Sequence, residues 1–259
     1  MRWIRYTFNG VTAYGIAEND SVIEVRGDPF KGYEQTAVRH KLSEVRIEVP
    51  VIPPTFYAAG RNYVAHMAAS GKPVLAKPDI GYRATNALVA HDQPVVIPYD
   101  ATERVVYEGE LVAVIGRTCK RVSEEQALDY VLGYTIGNDV SERTWQSQDA
   151  TFWRCKNTDT FKPMGPWIET DLDLDRLETI VRLNGEEQIR FKTNDMVFGV
   201  ARFISTMSKY LTLHPGDVIW LGTDGTSPNI KHGDVVEIEI TGLGTLRSPF
   251  VREASPGPQ

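Results

Sequence analysis

Tyr107-Glu108-Gly109-Glu110-Leu111-Val112-Ala113-Val114-Ile115-Gly116, followed after a helix-like interval by Gly133-Tyr134-Thr135-Ile136-Gly137-Asn138-Asp139-Val140, is the stretch on which the reading of this chain turns. The first segment has strand character, and Glu108 and Glu110 stand at i and i+2 in it, so both carboxylates leave the same face. Asp139 closes a second strand-like run. Three carboxylates converging on one point repel one another unless a cation lies between them, and such a trio suits a hard divalent ion such as Mg²⁺ or Mn²⁺. A solvated strand face carrying Glu-x-Glu is the plainer alternative. The apolar flanks Val105, Val106, Leu111, Val112 and Val114 describe instead a partly buried strand, where unpaired carboxylates would be costly.

Outward from these strands the chain divides at Val49-Pro50-Val51-Ile52-Pro53-Pro54, a proline-stiffened connector. Residues 1–52 read as a small β-meander domain, with Asn9-Gly10 and Asn19-Asp20 as its turns. Residues 53–259 read as the larger domain, and the whole as a β-rich α+β protein. Val64 to Ser70 is a short helical candidate. Ser123-Glu124-Glu125-Gln126 fits a capping box opening a helix through Val131. Asn184-Gly185 carries a hairpin signal. Asp195 is placed to cap a helix whose apolar stripe is Val197, Val200, Ala201, Ile204, Tyr210 and Leu211. Pro215-Gly216-Asp217 and His232-Gly233-Asp234 read as turns between late strands, with His214 and His232 as turn residues.

Among 259 residues, 28 basic against 34 acidic side chains give a net charge of −6, and no basic run offers itself to phosphates, so nucleic acid is not an expected partner. No apolar run approaches a bilayer's thickness, so a membrane is not expected either. Charges interrupt the apolar residues of Met1–Phe8, which reads as an alternating strand and not as a signal peptide. The two cysteines, Cys119 and Cys155, show neither a disulfide framework nor metal-ligand spacing. The expected setting is a reducing cytoplasm.

Five pieces in this order resemble the fumarylacetoacetate hydrolase family: Arg61-Asn62-Tyr63-Val64-Ala65-His66, Tyr107-Glu108-Gly109-Glu110-Leu111, Gly137-Asn138-Asp139-Val140 running on to Gln146, Lys156-Asn157-Thr158-Asp159-Thr160-Phe161-Lys162-Pro163-Met164-Gly165-Pro166, and Gly222-Thr223. The resemblance covers most of residues 55–250 and points to the subset with a small amino-terminal domain. It implies a mixed β-roll catalytic domain, commonly a homodimer, with Mg²⁺ or Mn²⁺ held by Glu108, Glu110 and Asp139. Members of the family cleave, decarboxylate or isomerise 2-oxo and β-diketo acids, so a small oxo-dicarboxylic acid is the implied substrate.

A divalent ion facing three carboxylates keeps about three of six octahedral positions free, enough to hold a 2-oxo acid by its carboxylate and keto oxygens. Three carboxylates and the ion sum to −1, so added cations are needed for an anionic substrate. Lys156 is the candidate at the reacting oxygen, Arg143 at a distal group or a neighbouring carboxylate, and Gln146 and Thr223 as hydrogen-bonding walls. Arg61 and Tyr63 are candidate substrate-binding residues through their motif. His66 is the candidate general base. In hydrolytic relatives the resemblance pairs that histidine with a glutamate three residues on, where this chain has Ala69. The substitution turns expectation toward decarboxylation, or isomerisation of a 2-hydroxyhepta-2,4-diene-1,7-dioate-like diacid, beside hydrolysis; a non-catalytic member of the fold is the third reading. Loop Gly71–Asn86 reads as a lid that shapes the pocket.

Overall fold

Asn9 and Gly10 both adopt positive φ (48° and 80°), the geometry that joins antiparallel strands through a two-residue turn matched to their twist. They pair β1 (Arg2–Phe8) with β2 (Val11–Glu18) from Arg2↔Ala17 to Phe8↔Val11. Asn19, at φ 50°, opens the turn to β3 (Ser21–Asp28), and β4 (Gly32–Lys41) completes the meander. The computed structural model describes residues 1–69, 71 and 73–256, with the side chains of His66 and Ala69 outside the described set.

The meander does not stand apart. β1 pairs with strand Lys162–Glu169 at Arg2↔Glu169 and Trp3↔Ile168, so the sheet continues into the rest of the chain. From there the order runs through Val131–Asn138, Gly109–Ile115, Val218–Trp220, Phe56–Ala59 and Ile80–Tyr82, within a 12-stranded mixed sheet. A 5-stranded sheet is built from Glu186–Lys192, Glu178–Leu183, Val235–Ile240, Gly244–Arg252 and Val95–Ile97. Asn184 and Gly185, both at positive φ, make its hairpin.

Strand Gly109–Ile115 is buried along its whole length because it lies between two cores. Leu111, Ala113 and Ile115 pack with Val181, Val236, Ile238 and Leu246 of the second sheet. Val112 and Val114 point the other way, into a core shared with Trp3, Ile16, Ile23 and Trp220. This period-2 alternation puts Glu110 on the even face, and Glu108 stands one residue before the strand's first residue.

Helices are few and short, and two of the sequence expectations for them give way. Ser123–Gln126 does not cap a helix through Val131: only a 3-10 turn forms, Ala127–Tyr130, because Val131 already belongs to a central strand. Asp195 is not the N-cap of any helix among the described residues. α4 (Val200–Ser208) starts after Gly199, since Asn62 holds the preceding residues in a non-helical bend, its carbonyl accepting from Val197 N (2.7 Å) and its Oδ1 from Phe198 N (3.0 Å). Tyr210 lies beyond that helix and is exposed. α1 (Val64–Ala69) follows the Arg-Asn-Tyr motif, as its sequence suggests.

Candidate active site

Register brings the acids together. Gly109 pairs with Asn138 and Glu110 with Gly137 across adjacent antiparallel strands, so Asp139, one residue past Asn138, arrives beside Glu108. Asp139 N donates to Glu108 O (2.9 Å) and Glu108 N to Asn138 Oδ1 (3.2 Å), pinning the junction. Gly137 must be glycine: a Cβ there would meet the Trp220 ring at 2.6 Å. The result is a trio in which one oxygen from each of Glu108, Glu110 and Asp139 lies within 4.8 Å of the others, all three buried.

Two short helices set cations against this trio. α2 (Arg143–Gln148) is capped by Glu142, whose carboxylate accepts from Trp145 N and Thr102 Oγ1. Arg143 and Gln146 lie one turn apart on the same face, and Arg143 donates to Gln146 Oε1 (2.7 Å) and Glu108 Oε1 (2.5 Å). α3 (Trp153–Asn157) docks on α2 through the Arg154 guanidinium over the Trp145 ring (4.6 Å). It delivers Lys156, whose ammonium donates to Glu108 Oε2 (2.6 Å) and Asp139 Oδ2 (2.9 Å).

Two further cations escaped the sequence reading. Arg83 Nη2 donates to Asp139 Oδ2 at 3.0 Å, and Lys162 Nζ lies 2.6 Å from Asp139 Oδ1. Arg83 comes from the loop expected to act as a lid. That loop is held by the lysine motif itself: Asn157 Oδ1 accepts from Ala84 N (2.7 Å), and Asp159 Oδ1 from Asn86 Nδ2 (2.6 Å). Lys162 lay in the quoted motif without an assigned role. Arg104, which also lines the cavity, carried no motif signal.

The trio and these side chains open on a cavity of about 740 Å³, walled by Arg61, Arg83, Arg104, Gln146, Phe152 and Thr223 among others, a size suited to a small metabolite. Of the residues singled out from sequence, Glu108, Glu110, Asp139, Lys156, Gln146, Arg143, Arg61 and Thr223 meet there. Tyr63 does not. Its ring is buried and its hydroxyl donates to Thr193 O (2.6 Å), so the residue is a strut under the site and not a wall of it. The neighbouring Asn62 is likewise structural, donating to Phe198 O and Leu221 O. The side chains of His66 and Ala69 lie outside the described residues.

The charges are unevenly shared within the trio. Burial alone would raise the Glu108 carboxyl, but Lys156 and Arg143 outweigh it and hold it at about 2. Asp139 is likewise driven well below the usual range against its burial, by Arg83, Lys156 and Lys162. Glu110 moves the other way, pushed up to about 8 by burial and then by the Asp139 and Glu108 carboxylates. Its Oε2 accepts from Gly222 N (2.8 Å), and no side-chain cation pairs with it among the described residues. Three hard oxygen donors within reach of one point, one of them short of positive charge, fit a divalent cation.

Residues 55–251 match the family model of the fumarylacetoacetate (FAA) hydrolase C-terminal domain, and residues 1–50 match the Rv2993c-like N-terminal model. The chain belongs to the fumarylacetoacetate hydrolase family. It is 39% identical over 236 residues to protein Rv2993c of Mycobacterium tuberculosis, covering 90% of this chain and 89% of that protein. It is 40% identical over 202 residues to a 2,4-didehydro-3-deoxy-L-rhamnonate hydrolase of a Sphingomonas species, covering 73% and 70%. Among solved structures it resembles a 5-carboxymethyl-2-hydroxymuconate delta-isomerase from Mycobacterium smegmatis, with a TM-score of 0.90 and 37% identity over 98% of this chain and 100% of that one. Named relatives thus include both hydrolases and isomerases.

Proposed function

We propose that this protein is a Mg²⁺- or Mn²⁺-dependent enzyme that cleaves a carbon–carbon bond next to the carbonyl of a small 2-oxo or β-diketo acid, by hydrolysis or decarboxylation. The observation that carries the reading is the buried trio Glu108, Glu110 and Asp139 facing a cavity walled by arginines. The trio would hold the ion. When bound, the ion supplies Lewis-acid charge at a carbonyl oxygen on which negative charge develops.

The remaining work falls to the chain. Lys156 Nζ, held between Glu108 and Asp139, sets an ammonium where an electron-rich intermediate gathers charge. Arg143 fixes Glu108 and orients the Gln146 amide by taking its oxygen, which leaves the Gln146 NH₂ to donate to a substrate oxygen. Arg61 and Arg104 line the cavity and suit the distal carboxylate of a diacid. Thr223 offers a hydroxyl from the opposite wall. His66 is the proposed base where a proton must be moved.

Isomerisation of a hydroxydiene-dioate diacid is the second reading. It is supported by Ala69 in place of the expected dyad glutamate and by the likeness to the delta-isomerase. The test is to strip the protein with a chelator, restore Mg²⁺ or Mn²⁺, and offer oxaloacetate, an acylpyruvate and a hydroxydiene-dioate while following carbon dioxide, pyruvate and the ultraviolet spectrum. Release of carbon dioxide or pyruvate supports cleavage; a spectral change with all carbon retained supports the isomerase. Full turnover by Glu108→Ala in chelator-treated protein contradicts both.

The homodimer carries over from the resemblance as part of the proposal, and sedimentation velocity tests it. A cytoplasmic setting is proposed on two buried free cysteines, Cys119 and Cys155. No helix among the described residues is long and apolar enough to cross a membrane.

A further inference from the structure

Lys162 opens strand Lys162–Glu169 with a fully buried side chain, and it does not line the cavity, unlike Arg83, Arg143 and Lys156. A lone ammonium in such a place is expensive unless its neighbours repay the lost hydration. Three neighbours do. Lys162 Nζ donates to Val140 O (2.9 Å) and Phe161 O (2.9 Å) and forms an ion pair with Asp139 Oδ1 at 2.6 Å. The two carbonyls tie the lysine to the backbone just after Asp139 and just before itself, so its position is rigid. It approaches Asp139 from the protein interior, while Arg83 and Lys156 approach Oδ2 from the cavity.

The other two acids are held differently. Glu108 Oε1 is engaged by Arg143 and its Oε2 by Lys156, both of which line the cavity, and Glu110 Oε2 by the Gly222 amide. Among the described residues of the trio, Asp139 is thus the acid with one oxygen ion-paired from the interior and the other facing the cavity. A carboxylate anchored this way offers a cation one oxygen; turning the second toward the same ion would break the anchor, and at Asp139 it would also bring two positive charges together. Mg²⁺ takes single oxygens in a tight octahedron, whereas Ca²⁺ takes six to eight and readily accepts both oxygens of a carboxylate.

We propose that Lys162 is a positioning residue that restricts Asp139 to one-oxygen ligation and so biases the trio toward Mg²⁺-sized ions over Ca²⁺. The proposal rests on the reading of the trio as a metal site. It concerns the choice of ion, and its readout is binding, not turnover.

The test is calorimetric titration of chelator-stripped protein with Mg²⁺ and, separately, Ca²⁺. The wild type should bind Mg²⁺ more tightly, and Lys162→Met should shift the ratio of the two dissociation constants toward Ca²⁺ by about tenfold or more, the scale on which neighbours of metal ligands act. Both ions carry two charges, so loss of the lysine's charge alters both affinities alike and cancels in the ratio. A ratio unchanged in Lys162→Met overturns the proposal and leaves the lysine a strut between strands, with the metal reading intact. Should the variant not fold, the wild type decides: Ca²⁺ bound as tightly as Mg²⁺ overturns the proposal without it. Wild-type protein that binds neither ion overturns both the proposal and the metal reading.

Discussion

Asp217 and Asp234 are buried as deeply as Glu108 and Asp139, yet the two pairs are put to different use. Asp217 accepts from Thr55 N (2.9 Å) and His214 N (2.8 Å), and Asp234 from Lys231 N (2.9 Å) and Asn184 Nδ2 (2.9 Å). Each closes a turn and satisfies donors that would otherwise be orphaned. Glu108 and Asp139 face one another, a third acid and three long cationic side chains across a cavity. Among buried acids, one surrounded by turn amides explains itself structurally. A cluster of like charges does not, because mutual repulsion must be overcome by cations that local folding never demanded.

Substitution separates the two kinds of buried acid by the largest margin. Glu108→Ala should reduce turnover on the cleaved substrate by on the order of 10³-fold, through loss of the charge that assembles the site, while the variant keeps its folded circular dichroism spectrum. A smaller kinetic effect with a large loss of stability would place Glu108 among the turn acids. Asp217→Ala should do the reverse. It strands the partly buried amides of Thr55 and His214 and should cost about 1–3 kcal/mol in urea unfolding, with kcat/KM of the folded protein unchanged.

Metal addition sharpens the contrast. At a hundredfold excess over Kd, Mg²⁺ or Mn²⁺ should stabilise the wild type by about 2.7 kcal/mol, seen as a rise in melting temperature. Asp217→Ala should retain that rise and Glu108→Ala should lose most of it. Equal rises in both variants would mean that the ion acts elsewhere.

A carboxylate at the protein surface gives the smallest effect. Glu48 accepts from Thr7 Oγ1 (2.5 Å) and Arg46 Nε (2.8 Å). Burial works to raise its carboxyl, but Thr7 and Arg46 outweigh it and leave it below its ordinary value of 4.5. A lowered folded pKa means stability present above 4.5 and lost as the pH falls through the folded value. Glu48→Gln should flatten that acid limb by under about 1 kcal/mol, since the pairing is exposed and screened. Urea unfolding between pH 5 and about 3 reads it; an unchanged limb would assign the acid sensitivity to other carboxylates.

The same contrast explains what could be read from letters alone. The acid trio is legible because its logic is local: i and i+2 on a strand, then the end of the adjacent strand. Turns such as Asn9-Gly10 and Asn184-Gly185 are legible because positive φ selects their residues. Arg83 is not, since it reaches Asp139 across 56 residues of sequence, from a loop whose position depends on Asn157 and Asp159. Lys162 hides for a related reason: lysine at the start of a strand reads as a surface residue until the topology buries it. Tyr63 misleads in the opposite sense, because an aromatic in a motif can support a site from beneath as well as line it. The helices expected after Ser123 and Asp195 fail because a central strand claims Val131 and Asn62 claims residues 197–198.

The most direct test of the account is a Mn²⁺ titration of chelator-stripped protein followed by electron paramagnetic resonance, comparing the wild type with the near-isosteric Glu110→Gln. The expected result is a single saturable ion per wild-type chain and affinity weaker by about a hundredfold in the variant. No binding by the wild type, or equal binding by the two proteins, would contradict it.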